Sequence, residues 1–363
     1  MSDQPNLVGC TKADLATPAL CLDLDRLDSN VQHLVDECVR RGVQWRPHAK
    51  CHKSPIIGKW LVEAGACGLT CATLREAEVM ADAGIDDLLI ANLIAGAPKI
   101  RRLVQLAEKS DVMICIDHVD QAIPISRALA EAKRSVRVLV ELEIGMRRVG
   151  VEDSEDVKRL SEQIVDLPGL EFVGLMAYEG HLLTIKDLVE KERAIQSVFQ
   201  RVASIRTQLE QAGLSCPIVS GGGTGSYPIT LRQPGITELQ SGGAIFMDAF
   251  YRDPCQIQQL QNSLTILATV NSVPTKQRAV IDAGRKAMNI EICTPQVVGR
   301  DGVQVESLSA EHGVLAVSAA ADPLAIGERI ELIPGYADLT NMLHSCFYGF
   351  RQGRLELEIP IVR

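Results

Sequence analysis

The chain has no excess of positive charge: 37 Lys and Arg stand against 46 Asp and Glu, a net charge of -9. Phosphate backbones and anionic membrane surfaces recruit basic fields, so this balance argues against both as partners and favours a small molecule. No stretch approaches the roughly 18 consecutive apolar residues of a membrane span. The opening Met1-Ser2-Asp3-Gln4-Pro5 also lacks the charged and apolar regions of a secretory signal. The protein is therefore expected in the cytoplasm. Internal repeats and low-complexity linkers are missing, and aromatic residues make up only 4% of the chain. Cysteine is not scarce, at 11 residues, but no two have the two-residue gap of a zinc knuckle or redox motif. Cys21, Cys67, Cys71 and Cys115 lie inside apolar runs, where a reduced thiol packs as a small hydrophobe. A disulfide scaffold is not expected at this size and in this compartment.

With 363 residues, 46% of them hydrophobic, the chain can build one large α/β domain and a smaller one. Short apolar runs alternate with segments of helical spacing, such as 25–41, 97–109, 153–166 and 186–212. Eight candidate strands end near Trp45, Thr70, Ala91, Asp117, Glu143, Ala177, Ser220 and Gln240. Eight parallel strands with helical crossovers predict a closed (β/α)8 TIM-like barrel, with a doubly wound open sheet as the alternative. Beyond about residue 255 the pattern changes to β-branched runs broken by turns, with hairpins expected at Gly327-Glu328-Arg329 and Gln352-Gly353-Arg354. The predicted organisation is a barrel over 26–254, a β-rich domain over 255–363, and an N-terminal segment, 1–25. The run Leu20-Cys21-Leu22 in that segment suits a strand of the β-rich domain.

Catalytic groups of such barrels come from the carboxyl ends of the strands. The first strand runs into Arg46-Pro47-His48-Ala49-Lys50-Cys51-His52-Lys53. A lysine crowded by cations and partly desolvated loses its proton more readily, and only the free amine attacks a carbonyl to form a Schiff base. The alternative is a basic loop that happens to follow a strand. The seventh strand opens into Ser220-Gly221-Gly222-Gly223-Thr224-Gly225-Ser226, and the eighth into Ser241-Gly242-Gly243. Glycines let backbone N–H groups converge on an anion, and Ser220, Thr224 and Ser226 add hydroxyl donors. The run lacks the lysine of a P-loop and does not open a dinucleotide-type βαβ unit. A reactive lysine plus a phosphate cradle on one barrel face points to pyridoxal 5'-phosphate.

Several segments together resemble the alanine-racemase-type barrel of fold type III pyridoxal enzymes. They are Thr17-Pro18-Ala19-Leu20 with Asp23-Leu24-Asp25, Ala72-Thr73-Leu74-Arg75-Glu76-Ala77, Gly145 to Gly150, and Val219 to Tyr227. Within that group the chain is most similar to the D-threonine aldolase and D-serine dehydratase family. Gly242 to Asp248, Ile281-Asp282-Ala283-Gly284 and Glu311-His312-Gly313 extend the likeness over nearly the whole chain. The resemblance implies that Lys50 is the Schiff-base lysine and Lys53 its neighbouring cation. It places Arg148 and Tyr178 at the cofactor, and gives the phosphate to Gly222, Gly223 and Thr224 with Gly242 and Gly243. Gln240 lies where the racemases of this fold put an arginine against the pyridine nitrogen; a strand-end glutamine facing solvent is the other reading. The resemblance also implies a homodimer.

Members of this family that act on D-3-hydroxy amino acids are similar in carrying a divalent metal (Mn, Mg or Zn) on a His-x-Asp or His-x-Cys pair. Here Pro334-Gly335-Tyr336-Ala337-Asp338 keeps the aspartate and puts tyrosine in the histidine's place. Asp338 is then the one metal-ligand candidate, and metal dependence stays open. His344-Ser345-Cys346 has suitable spacing but lies out of phase. The resemblance implies a lyase that cleaves Cα–Cβ of D-3-hydroxy amino acids, releasing glycine and an aldehyde, with His181 or Tyr336 taking the hydroxyl proton. Dehydration, racemisation and non-catalytic pyridoxal phosphate homeostasis are the alternatives.

Overall fold

The computed structural model describes residues 7–362, so Met1–Pro5, on which the reading of a missing secretory signal rests, lies outside the described residues. The chain divides into two units, His33–Gly242 and the remainder. In the first, eight short strands form one parallel sheet in the order β2-β9-β8-β7-β6-β5-β4-β3. They are β2 (Gln44–Trp45), β3 (Leu69–Cys71), β4 (Leu88–Leu93), β5 (Val112–Ile116), β6 (Val136–Leu142), β7 (Leu170–Ala177), β8 (Ile218–Gly221) and β9 (Glu238–Leu239); β1 is in the other unit. The sheet closes on itself. Cys67 N–H donates to the Trp45 carbonyl at 2.9 Å and Thr70 N–H to Pro47 at 3.0 Å, with a parallel bridge between His48 and Thr70. The closed barrel is the predicted architecture, and the open doubly wound sheet is excluded.

The strands are buried on both faces, which is why they read as unbroken apolar runs rather than alternating ones. Leu89, Met113, Cys115, Leu139 and Met176 of β4 to β7 form one apolar cluster. Amphipathic helices fill the crossovers, several of them started by a capping side chain. Thr73 accepts Glu76 N–H ahead of Leu74–Asp82, Asp153 accepts Glu155 N–H ahead of Ser154–Val165, and Asp187 accepts Glu190 N–H ahead of Leu188–Gln211.

The second unit is a mixed sheet in the order β13-β14-β11-β10-β1-β16-β17, with β15 on β10 and β12 on β15. Its strands are β1 (Ala19–Asp23), β10 (Leu264–Thr275), β11 (Arg278–Ile281), β12 (Gln296–Val297), β13 (Val303–Leu308), β14 (Gly313–Val317), β15 (Arg329–Ile333), β16 (Cys346–Arg351) and β17 (Arg354–Pro360). The strand at Leu20–Leu22 runs antiparallel to β10 and parallel to β16. Gln352 and Gly353, at φ 49° and 76°, make the tight turn joining β16 to β17. Gly327-Glu328-Arg329 is no hairpin, because β15 pairs with β10 and β12 rather than with the strand preceding it.

The division at Gly242/Gly243 falls before the sequence boundary at 254/255, and hydrogen bonds explain the difference. Ala249 and Phe250 amides donate to Pro334 and Gly335 carbonyls at 3.0 Å each, and Asp248 accepts Ala337 N–H at 2.8 Å. These bonds tie residues 243–254 to the β-rich unit. On the N-terminal side the division falls after Gln32 rather than at 25, because Asn30 donates to Ile245 and Gln261 carbonyls. No disulfide joins any of the eleven cysteines. Burial drives several of them up, Cys21 to about 12.

Candidate active site

After β2 the chain makes a single 3-10 turn, Ala49–Cys51, that presents Lys50 half-buried. The cations around it are not the loose crowd the sequence suggests. Arg46 is 2% exposed, and its guanidinium donates to Glu238 Oε2 at 2.8 Å and Asp87 Oδ1 at 2.7 Å. Lys53 donates to the buried Glu76 carboxylate, whose other oxygen accepts Ala72 N–H at 2.6 Å. His52 is fully buried with Nδ1 accepting Ser54 N–H, and burial pulls it down to about 3. His48 also lies well below the usual imidazole range, through burial first and the charge on Lys50 second. Both rings are neutral, and Arg46 and Lys53 each have a carboxylate. Crowding by uncompensated cations is therefore corrected as a description of this turn.

Arg148 and Tyr178 come together: the guanidinium carbon lies 5.7 Å from the ring centroid, a cation–π contact. The ring sits between two glycines. A Cβ on Gly180 would fall 2.5 Å from it and one on Gly223 2.9 Å, so neither position tolerates a side chain without moving Tyr178. Below Arg148 lies a residue that the sequence reading missed. Glu141, 3% exposed, has Oε1 3.7 Å from the guanidinium and Oε2 without a hydrogen-bond partner. Burial pushes its carboxyl up to about 7, against the pull of Arg148. A lone acid among Val138, Leu139, Val140 and Leu142 was the available signal.

His181 is exposed and lies against Gly145, where a Cβ would come 2.3 Å from its Nε2. Beside it Glu143 accepts the Gly145 and Arg148 amides. Burial raises Glu143, but backbone hydrogen bonds from Arg147, Gly145 and Arg148, together with His181, outweigh that and hold it below the usual range.

The glycine loop follows β8. Gly222 takes φ 73°, the left-handed region, with Thr230 and Leu239 within 3 Å of where a Cβ would sit. Thr224 is buried with its hydroxyl 3.3 Å from that of Ser241. Ser220 does not serve this loop as a donor: its hydroxyl donates to Glu238 Oε1 at 2.6 Å and accepts from Gln240 Nε2 at 2.9 Å. Gln240 is accordingly buried rather than facing solvent. Gly242 packs on the backbone of His48, whose carbonyl oxygen a Cβ would meet at 2.3 Å. Behind the loop Glu179 is fully buried and accepts the Thr230 hydroxyl. Burial raises its pKa, while Ser226, Thr230 and the Gly222 amide favour its charge.

These residues fit a phosphorylated pyridine. The amides of Thr224 and Gly225 are buried yet donate to nothing among the described residues. Buried N–H groups of this kind call for an acceptor, and an anion supplies one. Lys50 offers an amine, Tyr178 a ring face and Arg148 a cation.

In the β-rich unit Gly243 lies in a buried 3-10 turn, Gly243–Ile245. Tyr336 donates its hydroxyl to Asp338 Oδ2 at 3.0 Å, and its ring meets Phe250 and Tyr251 edge-on at 5.6 and 5.8 Å. Asp248 lies nearby; burial, and Asp338 beyond the amides that favour its charge, lift it to about 8. A transition-metal site does not fit here. One oxygen of Asp338 accepts the phenol proton, no imidazole stands in the pair, and no cluster of three His, Cys, Asp or Glu suits a metal among the described residues. His344 does not replace it, since its Nε2 is hydrogen-bonded to the Ala287 carbonyl at 2.7 Å, as an N–H donor.

A parallel barrel with a lysine turn at β2 and a glycine loop at β8, joined to a β-rich unit, defines an alanine-racemase-type architecture. Residues 22–249 match the alanine racemase N-terminal domain, and 263–350 the putative serine dehydratase domain. The chain is 34% identical to a D-threonine aldolase of Arthrobacter, over 97% of this chain and 93% of that one. It is also 34% identical to a 3-hydroxy-D-aspartate aldolase of Paracoccus denitrificans, over 99% and 95%. The crystal structure of D-threonine aldolase from Filomicrobium marinum superposes with a TM-score of 0.96 at 35% identity, covering 99% of this chain and 98% of the other. The chain belongs to the D-threonine aldolase and D-serine dehydratase-like family of fold type III pyridoxal-phosphate enzymes.

Proposed function

We propose that this protein is a pyridoxal-phosphate lyase that cleaves the Cα–Cβ bond of D-3-hydroxy amino acids, releasing glycine and an aldehyde. The observation that carries the reading is full-length similarity to two aldolases of that substrate class, at 34% identity each. Bound here, the cofactor supplies an electron sink for the pair left at Cα when a bond to it breaks. Lys50 would hold it covalently, with Arg148 and Tyr178 at its ring and Gln240 inside the barrel wall. Gly222, Gly223 and Thr224, with Gly242 and Gly243, would receive its phosphate. Ser220 stays in the Glu238–Gln240 network and shapes the wall.

Cleavage requires removal of the proton from the substrate's β-hydroxyl oxygen. Tyr336 is the better candidate: its oxygen would take that proton as its own passes to Asp338 Oδ2, to which it already donates; His181, beside Glu143, is the other. No step is assigned to a metal, and Asp338 serves as the tyrosine's partner. We also propose a cytoplasmic homodimer. Cysteines outside disulfides support the compartment, and family likeness supports the dimer. No helix among the described residues is long and apolar enough to cross a membrane.

The test is to incubate purified protein with D-threonine, D-serine and D-alanine and follow aldehyde, keto acid and chirality. Glycine and acetaldehyde from D-threonine are expected. Keto acid and ammonia in their place would establish the dehydratase reading, which a 29% identical D-threo-3-hydroxyaspartate dehydratase of Delftia keeps in view. Loss of D-alanine's chirality would establish a racemase. A stable visible band with no product from any of the three would point to cofactor homeostasis.

A further inference from the structure

Two buried charged side chains lie behind the glycine loop, and nothing in the proposed chemistry uses them. Glu179 follows β7 immediately after Tyr178 and is fully buried. It accepts the hydroxyl of Thr230, one turn beyond the loop, and its other oxygen is buried without a hydrogen-bond partner. Lys191, on helix Leu188–Gln211, is 1% exposed and donates to the Gly225 carbonyl at 2.9 Å. A lysine is almost never buried this deeply without a specific partner, and burying either charge carries a large desolvation cost. Both grip the short segment whose Thr224 and Gly225 amides have no acceptor.

We infer that Glu179 and Lys191 are positioning residues for the phosphate of the cofactor, holding segment 222–226 in an anion-receiving shape. The inference rests on the pyridoxal-phosphate reading of the site. Glu179 holds Thr230, in the short helix that leads out of the segment, and so fixes its downstream end. Lys191 fixes the Gly225 carbonyl, which orients the peptide units on either side. Its ammonium also places a positive charge behind the amides that face the phosphate, so the segment carries more positive potential than its backbone alone provides. Glu179 is adjacent to Tyr178, so a single loop after β7 sets both the ring contact and the phosphate seat.

The experiment compares pyridoxal phosphate with pyridoxal, which lacks the phosphate, as ligands of wild type, Glu179→Gln and Lys191→Met. Binding is read from the absorbance band and from the rate of cofactor loss on dialysis of the loaded protein. Each variant should weaken pyridoxal phosphate by about tenfold or more, the usual effect of losing a hydrogen bond to a charged group. Pyridoxal affinity should stay within error of wild type, so the preference for the phosphorylated form narrows. Equal weakening of both ligands, or no change in either, overturns the inference. If Lys191→Met does not fold, Lys191→Arg should keep the preference and Thr230→Val should narrow it; the reverse pattern overturns the inference. A wild type that binds neither ligand instead removes the cofactor reading on which the inference rests.

Discussion

The barrel and the β-rich unit arrange charge differently around their candidate site residues. In the barrel, the cations around the Lys50 turn are matched: Arg46 with Glu238 and Asp87, Lys53 with Glu76, Ser220 and Gln240 completing the Glu238 side. In the β-rich unit, the corresponding position of interest holds an aromatic cluster around one phenol and one carboxylate, Tyr336 and Asp338. Under the proposed function the two units carry different tasks: the charged frame of the barrel would hold the cofactor, and the Tyr336–Asp338 pair would handle a substrate hydroxyl.

The largest effect that tests this separation is Lys50→Ala. Turnover and the visible cofactor band should both vanish while D-threonine is supplied in excess; a variant that keeps its band would break the barrel's half of the comparison. Next is Tyr336→Phe, which keeps the ring packing and removes the hydroxyl. It should lower kcat on D-threonine by about a hundredfold or more, the scale of a lost acid–base group, with the band intact. Chelator should leave wild-type turnover unchanged, whereas Tyr336→His should acquire manganese binding that calorimetry detects. If wild type already binds the ion, the β-rich unit has not parted from metal chemistry.

A third, stability effect sharpens the account of the barrel. Arg46→Met strands the buried Glu238 carboxylate and should cost about 3–5 kcal/mol, read as a lower urea midpoint. The smallest effect is one of pH. The folded protein holds the Glu141 proton up to about 7, against 4.5 for the free side chain, so it binds that proton more tightly than the unfolded chain does. That group's contribution to stability falls as pH rises through this window and levels off above it. Glu141→Gln removes the slope, so the variant's melting temperature relative to wild type should climb across the same window. A flat difference would mean that Arg148 fully compensates the carboxylate.

Much of the barrel was legible because parallel strands covered on both faces leave continuous apolar runs, and all eight form within a few residues of their expected ends. The turn bearing Lys50 and the glycine loop were legible because glycine and clustered cations are locally conspicuous. Pairing across strands was not. Ser220 looks like a loop donor until β8 and β9 come into register and set Glu238 directly opposite it. Arg46 and Lys53 look like a positive crowd until Asp87, Glu238 and Glu76 arrive from other strands and helices. The ties of residues 243–254 were not legible either, since that stretch carries barrel-like texture but hydrogen-bonds to the segment around Gly335.

The close approach of Gly242 to the His48 backbone has a consequence for the order of assembly. Strand β2 is flanked on one side by β9, and the Trp45 indole donates to the Ser241 carbonyl, 196 residues later in the chain. The turn that carries Lys50 is thus seated by nearly the last piece of the barrel to leave the ribosome. A nascent chain short of that point has the amine but not its setting. Under the proposed function, capture of a reactive aldehyde by Lys50 would wait until the barrel has closed around it.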